Sequence, residues 1–198
     1  MRVLGGSPVL LVYAVVDTVP TTLGLGVDQV PLRMVAGDRL TAVVGEHARL
    51  PKLGDEQLWA HEALIVRLTM ETAVLPLRFG TTVGGEEELS GWLRSHEGRL
   101  LELLGAVRGA VELSVRAKVP PSIGSAESFH EPLAELARRA ILFAAGPGSD
   151  RLHAAYLVDR ERGEGFAREV DRMAGELGVE VSCTGPLPPY SFVAEVAR

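Results

Sequence analysis

The sequence predicts an α+β protein, and three observations support this fold class. Strand-like and helix-like segments alternate along all 198 residues, with three strands before the first helix and two at the end. The pair Pro120-Pro121 interrupts this pattern and marks a boundary between two units. A long predicted strand, Gly109–Val119, lies just before the boundary. We therefore expect two ferredoxin-like (split βαβ) units packed together. They are an N-terminal α+β domain over residues 1–120 and a C-terminal ferredoxin-like domain over residues 121–198. The two domains can share the strand 109–119.

Composition and charge limit the class of protein. The chain is 46% apolar and 23% charged, which is typical of a globular protein, and its net charge is −6. Lysines and arginines are scattered, so we expect no nucleic-acid partner and no membrane partner. The apolar segment Pro8–Val16 lacks the pattern of a signal peptide, and no run is long enough for a membrane-spanning helix. Together with the single cysteine, Cys183, this predicts a cytoplasmic protein.

The first elements are predicted to be strands. The uninterrupted apolar segment Val9–Val16 is typical of a central strand that is buried on both faces. A loop with prolines and glycines follows it. The segments Leu32–Ala36 and Leu40–Val44 flank a Gly37-Asp38 turn, and this arrangement predicts a hairpin.

The segment Asp55–Thr72 is predicted to be a helix with two apolar faces. One face carries Trp59, Ala63, Val66 and Met70, and the other carries Leu58, Leu64, Ile65 and Leu68. A helix of this kind is usually packed between two layers. The alternative is that one face is free to bind a partner.

The next stretch, Val74–Thr81, is predicted to be a short apolar strand with two unusual residues. Pro76 cannot donate to a strand ladder, so the strand lies at a sheet edge or enters the sheet at that point. Arg78 places a permanent cation among apolar neighbours, where it needs an ion-pair partner or access to the surface. A more specific interpretation is that Arg78 faces a binding partner.

One more helix is predicted before the boundary. The acidic run Glu86-Glu87-Glu88 suits the positive end of a helix dipole, and an apolar stripe continues from Leu89 to Leu104. His96 lies on this stripe, where a histidine is more often a hydrogen-bonded core residue than a ligand.

The second domain is predicted to alternate helices and strands. Ser128 and Glu131 have the spacing of a capping box at the start of a helix that continues to Ala144. In strand Val179–Thr184, alternation places Cys183 on the apolar face as a small buried side chain. The remaining predicted elements are a strand at Leu152–Val158, a helix at Phe166–Leu177 and a strand at Ser191–Val196.

Motifs for catalysis, metals and cofactors are incomplete in this sequence. His61-Glu62 begins a zinc-protease pattern, but Ile65 stands where the second histidine belongs. Gly24-Leu25-Gly26 begins a dinucleotide fingerprint whose last glycine is replaced by Gln29. The five histidines show no ligand spacing. We therefore expect no catalytic residue, no metal and no cofactor, and the pattern favours a binding role over an enzyme.

The stretch Thr184–Val193 is stiffened by three prolines in four positions. One interpretation is a rigid bend that brings the last strand into its sheet. The other is an exposed surface of proline and tyrosine that binds an apolar partner at low entropic cost.

Several stretches resemble the gas vesicle protein F/L family (GvpL/GvpF). Two of them are similar to the signature stretches of this family, and three more are similar to it in the same order; they are Val74–Thr81, Thr184–Val193, Leu11–Val16, Val111–Arg116 and Ala154–Asp159. The resemblance covers nearly the whole chain. Ala14 departs from a frequent glycine of the family, and the segment 120–150 is shorter than in many members.

The resemblance implies a non-enzymatic accessory protein of gas vesicle formation, located in the cytoplasm and at the gas vesicle. Its implied partners are the small, hydrophobic major gas vesicle wall protein and other gas vesicle accessory proteins, and the resemblance also allows a role as a minor vesicle component. Residues on this chain that we expect to contact a partner are Trp59, Val66, Met70, Arg78, Phe79, Tyr190 and Phe192. The competing hypothesis is a small-molecule-binding regulatory module, because ferredoxin-like layers often hold ligands.

Overall fold

The computed structural model describes residues 8–120, 126–143 and 150–194, which form two compact units. Of the described residues, the first unit holds those up to Arg108 together with Val193 and Ala194, and the second unit holds those within Gly109–Phe192. The division falls before the long predicted strand, so this strand belongs to the second unit. Helices and two antiparallel sheets confirm the α+β prediction.

The sheet of the first unit is built around β1 (Val9–Val16). Its order is β2-β3-β1-β4, and β5 also pairs with β1; the other strands are β2 (Leu32–Ala36), β3 (Thr41–His47), β4 (Val74–Pro76) and β5 (Thr82–Val83). Residues 10–16 of β1 are buried, which confirms the predicted central strand. The predicted hairpin is also confirmed, because β2 and β3 pair across a turn in which the Gly37 amide donates to the Leu40 carbonyl.

Three helices belong to the first unit: α1 (Asp55–Glu71), α2 (Glu86–Ser95) and α3 (Glu97–Val107). The prediction of one helix through Leu104 is therefore wrong at His96, where the backbone leaves helical geometry (φ −111°, ψ 5°). The Ser95 hydroxyl and His96 Nδ1 both bond to the Trp92 carbonyl, at 3.0 and 2.9 Å, and the same carbonyl accepts the His96 amide at 3.1 Å, so three donors meet at the end of α2. His96 is exposed rather than in the core, with its ring stacked on Trp92.

The second unit has the ferredoxin-like βαββαβ order. Its elements are β6 (Ala110–Lys118), α4 (Ala126–Glu135), β7 (Arg139–Leu142), β8 (Arg151–Asp159), α5 (Gly163–Leu177) and β9 (Glu180–Leu187). The sheet order is β7-β8-β6-β9. The first unit shares this strand order, but its β1–β2 connection contains only a short 3₁₀ helix, Val27–Gln29, in place of the first crossover helix.

Two predicted elements of the second unit are wrong. The helix from Ser128 to Ala144 stops at Glu135, and β7 then pairs with β8 because tertiary pairing overrides a helical apolar period. The predicted strand at Ser191–Val196 begins instead as a 3₁₀ helix, Tyr190–Phe192, and residues 195–196 lie outside the described residues. Cys183 is half-buried and packs at the edge of the core with Val181, and burial raises the pKa of its thiol.

Candidate partner-binding surface

Helix α1 presents an apolar stripe to solvent, formed by Trp59, Ala63, Val66 and Met70, which we call the α1 stripe. The exposed fraction is 74% for Trp59, 70% for Met70 and 43% for Val66. The spacing i, i+4, i+7, i+11 places the four side chains on one face over roughly 17 Å. Burial of large apolar side chains is favourable, so this exposed stripe is a candidate binding surface.

The opposite face of α1 attaches the helix to its unit. Its buried side chains are His61, Leu64, Ile65 and Leu68. Leu58, which the sequence places with these residues, is 42% exposed. One face of α1 is therefore buried and the other open, which is the second of the two arrangements that the sequence allowed.

His61 links α1 to the signature stretch Val74–Thr81. Its Nε2 lies 2.9 Å from the Leu77 carbonyl oxygen, which can only accept, so Nε2 carries the proton. The ring stacks on Tyr13, with centroids 5.3 Å apart, and Phe79 meets it edge-on at 5.7 Å. His61 Nδ1 is buried and has no hydrogen-bond partner in the described part of the chain. The imidazole is therefore a neutral structural group that positions α1.

Two buried histidines make the first unit sensitive to acid. Burial lowers the pKa of His61, opposed by its bond to Leu77, and burial also lowers the pKa of His47. The unfolded chain then binds more protons than the folded chain just below the ordinary histidine pKa of about 6.5. Stability from these groups is present above that pH and is lost as the pH falls through their folded-state pKa values.

We expect the urea midpoint to fall as the pH is lowered from 7.5 to below about 6. The matched variant is His61→Phe, which keeps a ring but removes one titrating group. Its unfolding midpoint should depend less on pH over the same range. A pH dependence equal to that of the wild type would contradict the assignment to His61.

The Val74–Thr81 stretch occupies the edge of the first sheet. β4 is the last strand in the order, and its Pro76 pairs with Ala14. An edge strand accommodates proline, which has no amide proton to donate to a neighbouring strand. The chain then turns at Gly80 (φ 89°). Arg78 is exposed and Phe79 half-buried, and Arg78 forms no ion pair with the residues that the structure describes.

The Thr184–Val193 stretch is held by a residue that sequence reasoning missed. The buried carboxylate of Glu112 accepts hydrogen bonds from the Ser191 amide at 2.9 Å and the Ser191 hydroxyl at 2.7 Å. Burial raises the pKa of Glu112, and these two bonds oppose the shift. The sequence signal for Glu112 is a carboxylate within an apolar strand. A buried carboxylate needs hydrogen-bond partners.

The two aromatic residues of this stretch differ in exposure. Phe192 is only 3% exposed, and the Arg139 guanidinium lies 5.8 Å from its ring centre. Phe192 therefore offers no surface to a partner, because its ring packs inward. Tyr190 is half-buried. Both residues belong to the second unit, whereas the α1 stripe, Arg78 and Phe79 belong to the first.

Residues 8–120, 126–143 and 150–194 contain neither a metal-binding cluster nor a membrane-spanning helix. Nowhere in these ranges do three or more His, Cys, Asp or Glu side chains come together in a way that could hold a metal ion. None of the helices in these ranges combines the length and apolar character that crossing a membrane requires.

Solved structures share this fold. The crystal structure of gas vesicle protein GvpF from Anabaena sp. PCC7120 has a TM-score of 0.79 and 21% identity, covering 94% of this chain and 96% of that chain. GvpF from Microcystis aeruginosa has a TM-score of 0.76 and 18% identity, covering 93% and 98%. At this level of identity the likeness shows the fold.

Sequence relatives extend the comparison. Gas vesicle protein F1 of Halobacterium salinarum is 31% identical over 169 residues, covering 78% of this chain and 77% of the relative. Gas vesicle protein L of a Streptomyces species is 29% identical over 181 residues, covering 67% of each. The family model described as gas vesicle synthesis protein GvpL/GvpF matches residues 9–125 and 122–194. The chain therefore belongs to the GvpL/GvpF family of gas vesicle synthesis proteins.

Proposed function

We propose that this protein is a non-enzymatic accessory protein of gas vesicle assembly that binds the hydrophobic major wall protein through the α1 stripe. Family membership supports a role connected with gas vesicles. The observation that carries the finer proposal is the exposure of Trp59 and Met70 at 74% and 70% on a helix whose other face is firmly anchored.

The physical argument concerns the wall subunit before assembly. A small, hydrophobic subunit exposes apolar surface and aggregates unless a partner covers it. An amphipathic partner helix with a rigid position loses little entropy on binding. Trp59 is the expected anchor, because tryptophan is enriched among the residues that dominate binding energy.

The proposal keeps three of the other residues that were expected to contact a partner and leaves out one. Arg78 and Phe79 follow β4, and Phe79 contacts the same His61 that anchors α1. Tyr190 is proposed as a separate contact on the second unit. Phe192 is left out because its ring is buried.

The test is co-expression with the major wall protein, followed by affinity capture and light scattering of the soluble fraction. We expect the wall protein to co-purify, and its soluble amount to rise. The double variant Trp59→Asp, Met70→Asp should weaken capture about 10-fold or more, because two anchors each contribute on the order of 1 kcal/mol.

A control variant separates a binding defect from a general effect of charge. Leu177→Asp adds one aspartate, half of the charge that the double variant adds, at an exposed apolar residue of α5 in the second unit. It should leave capture unchanged. If the double variant folds and captures the wall protein as well as Leu177→Asp does, the α1 stripe is not the binding surface. If wild-type protein captures nothing and aggregation is unchanged, wall-subunit binding is the wrong function.

A further inference from the structure

The second sheet has a groove on the face opposite its helices. Core residues Leu113, Val115 and Ala117 of β6 point toward the helix-covered face, so Arg116 and Lys118 stand on the other one. The groove has a volume of about 480 Å³ and spans three strands. Its lining residues are Arg116, Ala117, Lys118, Arg151, Leu152, His153, Glu180, Val181 and Ser182.

The strand register concentrates positive charge in this groove. Lys118 lies directly opposite Arg151 on β8 and Glu180 on β9, and Arg116 lies opposite His153 on β8 and Ser182 on β9. Residues directly opposite each other in an antiparallel pair have Cβ atoms about 5 Å apart, and like charges at that distance are unfavourable. Among the described residues that line the groove, Glu180 is the only carboxylate. The groove therefore holds a cationic excess in a chain whose net charge is −6.

Three other arginines of the same unit form ion pairs within the fold. Arg138 pairs with Asp159, Arg168 with Glu164, and Arg172 with Glu169 and Glu176. By contrast, Arg116 and Lys118 form no ion pair with any residue in the described ranges. His153 adds a polar ring, and its pKa is lowered by burial and then by the charge of Arg116, so it adds no charge near neutral pH.

We propose that this groove binds a small polyanion, in which two or more anionic oxygens of a phosphorylated or polycarboxylate molecule contact Arg116 and Lys118. Guanidinium and ammonium groups form strong charge-assisted hydrogen bonds with both kinds of oxygen. The Ser182 hydroxyl is an additional donor in the lining. The groove is in the size range of small-molecule sites. This site is separate from the α1 stripe and does not depend on the proposed wall-protein binding.

The experiment is titration calorimetry of the full chain with pyrophosphate and, separately, with citrate at constant ionic strength. The two probes distinguish a phosphorylated ligand from a polycarboxylate. We expect at least one to bind with a dissociation constant below about 1 mM, and Arg116→Ala with Lys118→Ala to weaken it about 10-fold or more. Glu180→Gln, which removes the lining carboxylate, should tighten binding about 2-fold to 5-fold.

The control is Arg168→Ala, which removes an exposed arginine of the same unit that lies outside the groove. This variant should bind the probes as the wild type does. The proposal is overturned if neither probe binds with a dissociation constant below about 1 mM, or if Arg168→Ala weakens binding as much as the groove variants do. Thermal unfolding of each variant without probe checks that the fold is retained.

Discussion

Gly185→Ala is expected to destabilise the second unit by about 2–5 kcal/mol. A Cβ at this position would lie 2.5 Å from Leu113 Cδ2 and 2.8 Å from the Glu112 carbonyl oxygen. The Leu113 side chain can shift, but the Glu112 oxygen belongs to the backbone of β6, which pairs on both sides. The φ of 149° is also a conformation that alanine rarely adopts. Close approach and backbone strain therefore act together.

Hydrogen exchange of amides in β6 and β9 measures this effect within the second unit. The matched control is Gly175→Ala, because Gly175 is an exposed residue of α5 whose added Cβ would meet open space. That change should stabilise the helix by about 0.5–1 kcal/mol. If the β6 amides are equally protected from hydrogen exchange in both variants, the chain relaxes around residue 185 without losing stability.

His61→Ala is expected to destabilise the first unit by about 2–4 kcal/mol. The change removes a fully buried ring that contacts Tyr13 and Phe79, and it leaves a cavity beneath α1. It also removes the donor to the Leu77 carbonyl, which then remains buried without its partner. Because His61 anchors α1, the same variant should weaken capture of the wall protein.

Tryptophan fluorescence during urea unfolding isolates this effect, since Trp59 and Trp92 both lie in the first unit. The control is His96→Ala, an exposed histidine at the junction of α2 and α3. It should cost less than about 1 kcal/mol. A fluorescence midpoint for His61→Ala that matches the control would mean that the ring contacts contribute little to the position of α1.

Sequence predictions were accurate for elements that depend on their own residues and failed for elements that depend on contacts with other parts of the chain. The run Val9–Val16 is apolar at every position, so burial on both faces follows from composition alone. The segment 136–144 is apolar at helical spacing, yet residues 139–142 form β7, because β8 offers a free edge that no local pattern records. The helix break at His96 was also missed, because the side-chain bonds of Ser95 and His96 to the Trp92 carbonyl leave no mark in the apolar period.

The candidate surface shows the same limit. Trp59, Val66 and Met70 were predicted to share a face, and they do. Their exposure was left open, because the opposite face of α1 is equally apolar in sequence. Phe192 was expected at the surface, but Glu112 holds the Tyr190–Phe192 turn through two bonds between residues 79 positions apart. Spacing along the chain carries no information about such a contact.

The sequence by itself determined the α+β class, the central strand Val9–Val16, the two faces of α1 and the GvpL/GvpF resemblance, because these depend on local periodicity and on short motifs. Only the tertiary structure decided which face of α1 is open, that His61 joins α1 to the Val74–Thr81 edge, and that Lys118 lies opposite Arg151. The physical reason is that packing and strand register join residues distant in the chain. Their free energies depend on which atoms meet, and a sequence pattern does not specify this.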